Sequence, residues 1–239
     1  MELESADLPY SDGDTGCKGF YYHPAETQGP LPAVLICPAW DGLVQEVHDK
    51  AQQFARLGYV AVGVDVLGGG RTLQDFADME TEIGPFMADR SMLLQRLQAA
   101  VDAVHSLPIV DAERVAAAGY CFGGLCALDL ARSGKGLRAA VSLHGGLLPN
   151  GLDDTPIDAH ILVLHGHDDP MVPPDSVSAF QQEMTNRGAD WQLVTYGNTL
   201  HAFTRPDAND PTMGVAYNAL SDRRSWQAMS HFLEETLKA

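Results

Sequence analysis

The sequence predicts a mostly parallel, doubly wound β-sheet that is flanked by helices on both faces. From about residue 17 onward, short apolar runs alternate with longer segments of helical period, as strands and crossover helices do in an α/β fold. The runs from residue 33 onward consist mostly of Val, Ile, Leu and Ala, which is typical of strands buried on both faces. The chain has 239 residues, and we expect a single domain over residues 1–239.

Apolar runs predict strands at residues 17–22, 33–37, 60–66, 115–118, 139–143, 160–164 and 192–196. Helical period predicts helices at residues 44–56, 89–106, 124–132, 174–187 and 215–238. In the second helix, apolar residues recur at intervals of three and four and predict one buried face: Met92, Leu93, Leu97, Ala100, Val101 and Val104. Residues 67–86 are less regular, and we expect a loop or short helix there, at the edge of a site.

Composition and charge exclude several classes of protein. With 45% hydrophobic and 20% charged residues, the chain is globular rather than disordered, collagen-like or coiled-coil. Its formal net charge of −17 repels phosphate backbones and anionic lipids, so we expect neither nucleic acid nor membrane as a partner. The acidic N-terminus does not resemble a signal peptide, which favours a cytoplasmic location. The oligomeric state is left open between monomer and homodimer.

The most informative motif follows the strand predicted at residues 115–118. Residues 119–123 read Gly-Tyr-Cys-Phe-Gly and lead into a helix, which is the nucleophile elbow pattern with Cys121 at its apex. Gly119 and Gly123 remove side chains that would collide in so sharp a turn. The helix N-terminus behind Cys121 favours a thiolate and a developing oxyanion. The alternative is that Cys121 is a small buried hydrophobic residue, as we expect for Cys17 and Cys126.

A base and its orienting carboxylate follow the cysteine in the order that this motif requires. Asp168 and Asp169 follow the strand predicted at residues 160–164, and His201 follows the one predicted at 192–196. All lie at the carboxyl ends of strands, where ligands bind in parallel sheets. We favour Asp169 over Asp168 because two prolines fix the turn after it. The acidic pair is alternatively a solvated turn that caps the next helix.

No metal or cofactor is expected. His165 and His167 are two residues apart, and no third soft ligand is close in sequence. Residues 68–70 are three consecutive glycines. Neither a GK[ST] nor a spaced GxGxxG motif follows them, so they do not indicate nucleotide binding.

Three segments together resemble the dienelactone hydrolase family of α/β-hydrolases: residues 119–124, 169–173 and 201–205. The resemblance covers nearly the whole chain. It implies an α/β-hydrolase fold without a large lid domain, in which Cys121 is the nucleophile, His201 the base and Asp169 its orienter. The implied activity is a cysteine-dependent hydrolysis of esters or lactones.

The resemblance also implies further site residues. The backbone N–H groups of Trp40 and Phe122 would form the oxyanion hole, and the Trp40 ring would supply an apolar wall. Arg205 matches one of the two arginines that bind a substrate carboxylate in this family. The second is absent, and Arg71 and Arg90 are the only nearby substitutes.

The resemblance also implies a glutamate directly before the oxyanion-hole residue, which holds the thiol in the resting enzyme. This glutamate is missing here. Ala39 occupies its position, so that Asp41 is the only acidic residue nearby that can replace it. The loss of this glutamate and of one arginine favours a less anion-selective pocket, with a possible side activity toward neutral phosphotriesters. Two alternatives to hydrolysis are transfer of the acyl group to an alcohol or amine, and a non-catalytic protein that binds a small molecule.

Overall fold

The computed structural model describes residues 1–152 and 155–238. The predicted domain, 1–239, also contains residues 153, 154 and 239, which lie outside this described part. The helices are α1 Gln45–Arg56, α2 Met79–Ala88, α3 Arg90–His105, α4 Phe122–Arg132, α5 Pro174–Asn186 and α6 Ala219–Lys238. The strands are β1 Leu3–Asp12, β2 Thr15–Pro24, β3 Leu31–Cys37, β4 Val60–Gly63, β5 Val110–Tyr120, β6 Ala139–Leu143, β7 His160–Gly166, β8 Trp191–Tyr196, β9 Asn209–Asp210 and β10 Val215–Ala216.

The first eight strands form one sheet in the order β1-β2-β4-β3-β5-β6-β7-β8. Neighbours from β4 to β8 are parallel, whereas β1 and β2 are antiparallel additions at one edge. The buried side chains of β3 alternate between the two faces. Leu35 packs with α3 and α4, and Ile36 packs with α1 and α6. The predicted parallel sheet with helices on both faces is therefore confirmed.

Strand β1 was not predicted. Its sequence, LESADLPYSD, is largely exposed, and buried Leu8 with half-buried Tyr10 makes too short an apolar pattern to predict a strand. Backbone pairing with β2 along its whole length holds it at the edge of the sheet. Strand β8 forms the opposite edge, so its residues are largely exposed rather than buried on both faces as predicted.

Helix α3 buries the predicted face with one exception. Met92 is exposed, and Arg96 instead contributes to the buried side. Residues 67–86 contain a 3₁₀ turn at Phe76–Asp78 and most of α2, in agreement with the predicted loop or short helix.

The predicted start of the last helix at residue 215 is wrong. The N–H of His201 donates to Gly214, and the N–H of Ala216 donates to the carbonyl of His201. Residues 214–216 thus bind the His201 backbone, and α6 begins only at Ala219. The tertiary contact outweighs the helical period of the segment.

Candidate active site

Cys121 lies alone between the end of β5 and the first residue of α4. Its backbone angles are φ 55° and ψ −118°, a conformation that side chains rarely adopt. The residue is half-buried, whereas Cys17, Cys37 and Cys126 are buried. Burial raises the pKa of Cys37 to about 12. The strand-turn-helix geometry therefore presents one thiol, that of Cys121, to solvent.

The elbow needs its two glycines because the backbone segments touch. A Cβ on Gly119 would overlap the carbonyl group of Gly123, and a Cβ on Gly123 would overlap the carbonyl oxygen of Cys37. The contact with Cys37 also brings the loop after β3, which carries Trp40, against the start of α4. The close approach that the sequence predicted for these glycines is confirmed.

Gly123→Ala should destabilise the fold, because the new methyl group meets backbone that has no room to move. Overpacking of this kind costs about 1–3 kcal/mol. Gly84→Ala is the control, since Gly84 lies inside α2 and a Cβ there meets nothing within 4 Å. Urea unfolding should show a loss for Gly123→Ala and no loss for Gly84→Ala. Equal stability of the two variants would contradict the crowded elbow.

His201 bridges Cys121 and Asp169. Its Nε2 lies 3.2 Å from the Cys121 Sγ, and its Nδ1 lies 2.8 Å from Oδ2 of Asp169. The other oxygen of Asp169 accepts the backbone N–H of Met171 at 2.8 Å, which fixes the carboxylate. Asp169 and His201 are both buried. The three side chains come from the carboxyl ends of β5, β7 and β8, as the sequence predicts.

The neighbours of His201 favour its charged form. Burial acts against the charge, but the hydrogen bonds to Asp169 and Cys121 outweigh it and raise the pKa of His201 to about 10. An imidazolium next to a cysteine stabilises the thiolate, which is the nucleophilic form. The contacts of His201 therefore favour an imidazolium beside the Cys121 Sγ.

The two adjacent aspartates have different surroundings. Asp168 is exposed, and its backbone N–H donates to the carbonyl of Thr199. Asp169 is buried and its side chain reaches His201. The structure thus places Asp169, and not Asp168, beside the imidazole.

The backbone N–H groups of Trp40 and Phe122 are the two donors predicted to bind an oxyanion. Phe122 is the first residue of α4, and within the described residues neither N–H donates to a protein acceptor. The half-buried Trp40 ring packs edge-on against Phe76, with centroids 5.3 Å apart. Donors at a helix start and in an adjacent turn suit a developing negative charge.

The arginines expected to bind a substrate carboxylate are already paired. Nη1 of Arg205 donates to Asp41 at 2.7 Å, and its Nε donates to Asp207 at 2.8 Å. Arg71 donates to both carboxylate oxygens of Glu82, at 2.8 and 3.1 Å. Arg90, the other substitute, is paired with the buried Asp129 at 2.6 Å. An acidic substrate would therefore meet arginines whose charge a carboxylate already balances.

Asp41 is buried and contacts Arg205. The Cys121 Sγ forms its hydrogen bond with His201. Asp41 therefore pairs with Arg205 and not with the thiol, which is the partner implied for the family's glutamate.

His144 is the residue whose contacts the sequence did not reveal. It follows β6, and its ring touches both the elbow and the segment that carries His201. The sequence indicates that His144 is a packing residue or one that supports the site residues, and no motif contains it.

Within residues 1–152 and 155–238, no group of three His, Cys, Asp or Glu side chains is arranged to hold a metal ion. The helices of the same residues include none that is both long and apolar enough to cross a membrane.

Comparison with known proteins gives consistent results. The model of the dienelactone hydrolase family matches residues 17–237. A Caenorhabditis elegans protein described as uncharacterized is 41% identical over 157 residues, which are 62% of this chain and 97% of that protein. An Escherichia coli protein named "Putative carboxymethylenebutenolidase" is 26% identical over 94% of this chain and 84% of its own length.

Solved structures agree with the family match. The dienelactone hydrolase-like promiscuous phosphotriesterase P91, from metagenomic libraries, superimposes with a TM-score of 0.94 at 37% identity, over 99% of both chains. The fold is thus that of an α/β-hydrolase without a large lid, as the sequence predicts. The chain belongs to the dienelactone hydrolase family.

Proposed function

We propose that this ester and lactone hydrolase works through Cys121 as nucleophile, His201 as base and Asp169 as the carboxylate that orients the base. The observation that carries the proposal is the continuous contact from thiol to imidazole to carboxylate, at 3.2 and 2.8 Å. Hydrogen-bonding distances of this kind between a nucleophile, its base and an orienting carboxylate are typical of nucleophilic catalysis.

The reaction proceeds in two steps. The Cys121 thiolate attacks the carbonyl carbon, and the N–H groups of Trp40 and Phe122 bind the oxyanion that forms. His201 gives its proton to the departing alcohol, which leaves a thioester on Cys121. In the second step His201 takes a proton from water, and the resulting hydroxide attacks the thioester. The carboxylic acid departs, which restores the Cys121 thiolate beside the protonated His201. An alcohol or amine in place of water would give transfer instead of hydrolysis.

The charges around the site favour neutral substrates. Arg205 lies between two carboxylates, and Arg71 and Arg90 are each held by one. With an overall charge of −17, the chain does not attract acidic esters. We therefore propose neutral esters and lactones as the main substrates, with neutral phosphotriesters as a side activity. The similarity to P91, which is described as a promiscuous phosphotriesterase, supports the second part.

A panel of substrates tests this preference. It contains matched aryl esters with neutral and acidic acyl chains, a neutral lactone and a neutral phosphotriester, all assayed with a metal chelator. We expect kcat/KM to be about tenfold or more higher for the neutral ester than for the acidic one. We also expect phosphotriester release that survives chelation, because a thiolate and two N–H groups need no metal.

Arg205→Ala tests whether this arginine only pairs with Asp41 and Asp207 or also binds a substrate carboxylate. We expect the ratio of neutral to acidic ester turnover to change by less than about threefold, because Arg205 is already neutralised. A selective loss of the acidic ester would contradict this expectation and show that the charge of Arg205 is not fully balanced by Asp41 and Asp207. Absence of phosphotriester release in chelator would remove the side activity from the proposal.

Several further expectations remain predictions. They are that the chain is a single domain, that its partner is a small-molecule ester, that it is a monomer or homodimer, and that it is cytoplasmic.

A further inference from the structure

The ring of His144 connects the nucleophile elbow to the segment after β8. Its Nδ1 lies 3.1 Å from the backbone nitrogen of Cys121, and its Nε2 lies 2.8 Å from Oγ1 of Thr204. Thr204 is buried and comes three residues after His201. One side chain therefore touches both of the segments that must meet for the thiol to reach its base.

The hydrogen bonds define the protonation of this ring. The backbone N–H of Cys121 is a donor, so Nδ1 of His144 must be unprotonated in order to accept it. The remaining proton is then on Nε2, which donates to the hydroxyl of Thr204. Burial, together with the charge on His201, holds the pKa of His144 well below its usual range. His144 thus stays neutral next to a charged imidazole.

Packing holds the ring in this position. Its centroid is 5.1 Å from that of His201 and 5.1 Å from that of Phe203, and both contacts are edge-on. The ring of His144 therefore limits how far the His201 imidazole can tilt.

The backbone at both ends of the bond to Cys121 is unusual. Cys121 has φ 55° and His144 has φ 40°, and side chains rarely adopt such angles. Strained residues persist only where their surroundings hold them. The N–H of Cys121 is shared between His144 and the carbonyl of Leu143, which lies 3.1 Å away. The His144 ring thus helps the carbonyl of Leu143 to hold the N–H at the apex of the elbow.

We propose that His144 is a positioning residue. It holds the backbone of Cys121 and the segment that carries Thr204 at a fixed separation, so that the Sγ of Cys121 stays in contact with the Nε2 of His201. The inference rests on the proposed roles of Cys121 and His201. His144 itself exchanges no proton with the substrate in this mechanism.

Three variants of His144 separate its two hydrogen bonds. His144→Asn keeps an oxygen close to the place of Nδ1, and His144→Gln keeps an amide nitrogen close to the place of Nε2. His144→Phe keeps the ring and loses both polar contacts. Thr204→Val removes only the hydroxyl, at a residue with no positive φ, and so tests the second bond without changing the backbone constraint.

We expect His144→Phe to lower kcat on a neutral aryl ester by about 30-fold while KM changes by less than about threefold, because misplaced groups mainly affect the chemical step. His144→Asn should recover most of this loss, because the acceptor for Cys121 returns. Thr204→Val should lower kcat about fivefold. In the unaltered protein, imidazole NMR should show His144 as a neutral ring with the proton on Nε2.

The proposal is overturned if Thr204→Val and a folded His144→Phe both keep full kcat, or if NMR shows the proton on Nδ1. It is also overturned if His144→Asn and His144→Phe have the same kcat, the same KM and the same loss of thermal stability, because that pattern indicates that only the packing of the ring matters. If His144→Phe fails to fold, Thr204→Val and the NMR signature still decide. A Cys121→Ala variant with full activity would instead refute the proposed function itself.

Discussion

Cys121→Ala should lower ester kcat/KM by about 10⁴-fold or more, because loss of a covalent nucleophile removes the pathway through the thioester. The free energy of unfolding should fall only slightly, since the residue is half-buried and its side chain loses one hydrogen bond, that between Sγ and Nε2 of His201. Steady-state turnover of a neutral aryl ester and urea unfolding measure the two effects separately. A thioester on Cys121, trapped by acid quenching during the first turnover, should be visible by mass spectrometry.

Cys126→Ala is the matched control. Cys126 lies five residues further along α4 and is fully buried, so its replacement should cost some stability but leave kcat/KM within about threefold. Iodoacetamide gives a second comparison, because of the four thiols only that of Cys121 is not buried. Single labelling should coincide with loss of activity. Ester turnover that persists in Cys121→Ala would favour a different nucleophile, whereas absence of turnover in the unaltered protein would favour a binding protein.

Much of the site was predictable because it follows local rules. The elbow at residues 119–123 is a turn whose crowding demands glycine, and the structure shows the overlaps that a Cβ would make. Asp169 and His201 follow apolar strands, and parallel strands bring their carboxyl ends to one edge. The alternation of strands and helices is also a local pattern in the sequence, and it predicts the parallel sheet.

The unpredicted features depend on contacts between distant residues. Arg205 and Asp41 are 164 residues apart in sequence, and their pairing removes the free cation that the resemblance implied. His144 and Thr204 are 60 residues apart, and His144 belongs to no motif. Strand β1 buries only Leu8 and part of Tyr10, so its backbone pairing with β2 supplies what a hydrophobic pattern does not. Charge pairing and strand pairing across the fold leave no periodic signal in the sequence.

Asp169→Asn should lower kcat by about 10³- to 10⁴-fold, because an amide no longer stabilises the imidazolium or selects the correct tautomer of His201. Asp168→Asn removes the same charge from the neighbouring, exposed residue and should leave kcat within about threefold. Measurement of both variants on one neutral ester decides which carboxylate orients the base. Equal losses in the two variants would contradict the assignment to Asp169.

The pH dependence gives an independent measurement on the same pair. The pKa of His201 is raised to about 10 in the folded protein, from about 6.5 in an unfolded chain. The charged His201 therefore stabilises the fold fully below about pH 6.5, and this contribution is lost as the pH rises through about 10. In Asp169→Asn the pKa of His201 should fall, so that the loss of stability begins at a lower pH, whereas Asp168→Asn should follow the unaltered protein. Urea unfolding between neutral and alkaline pH, together with NMR titration of the His201 ring, measures the shift. An unchanged titration of His201 in Asp169→Asn would show that Asp169 does not stabilise the imidazolium.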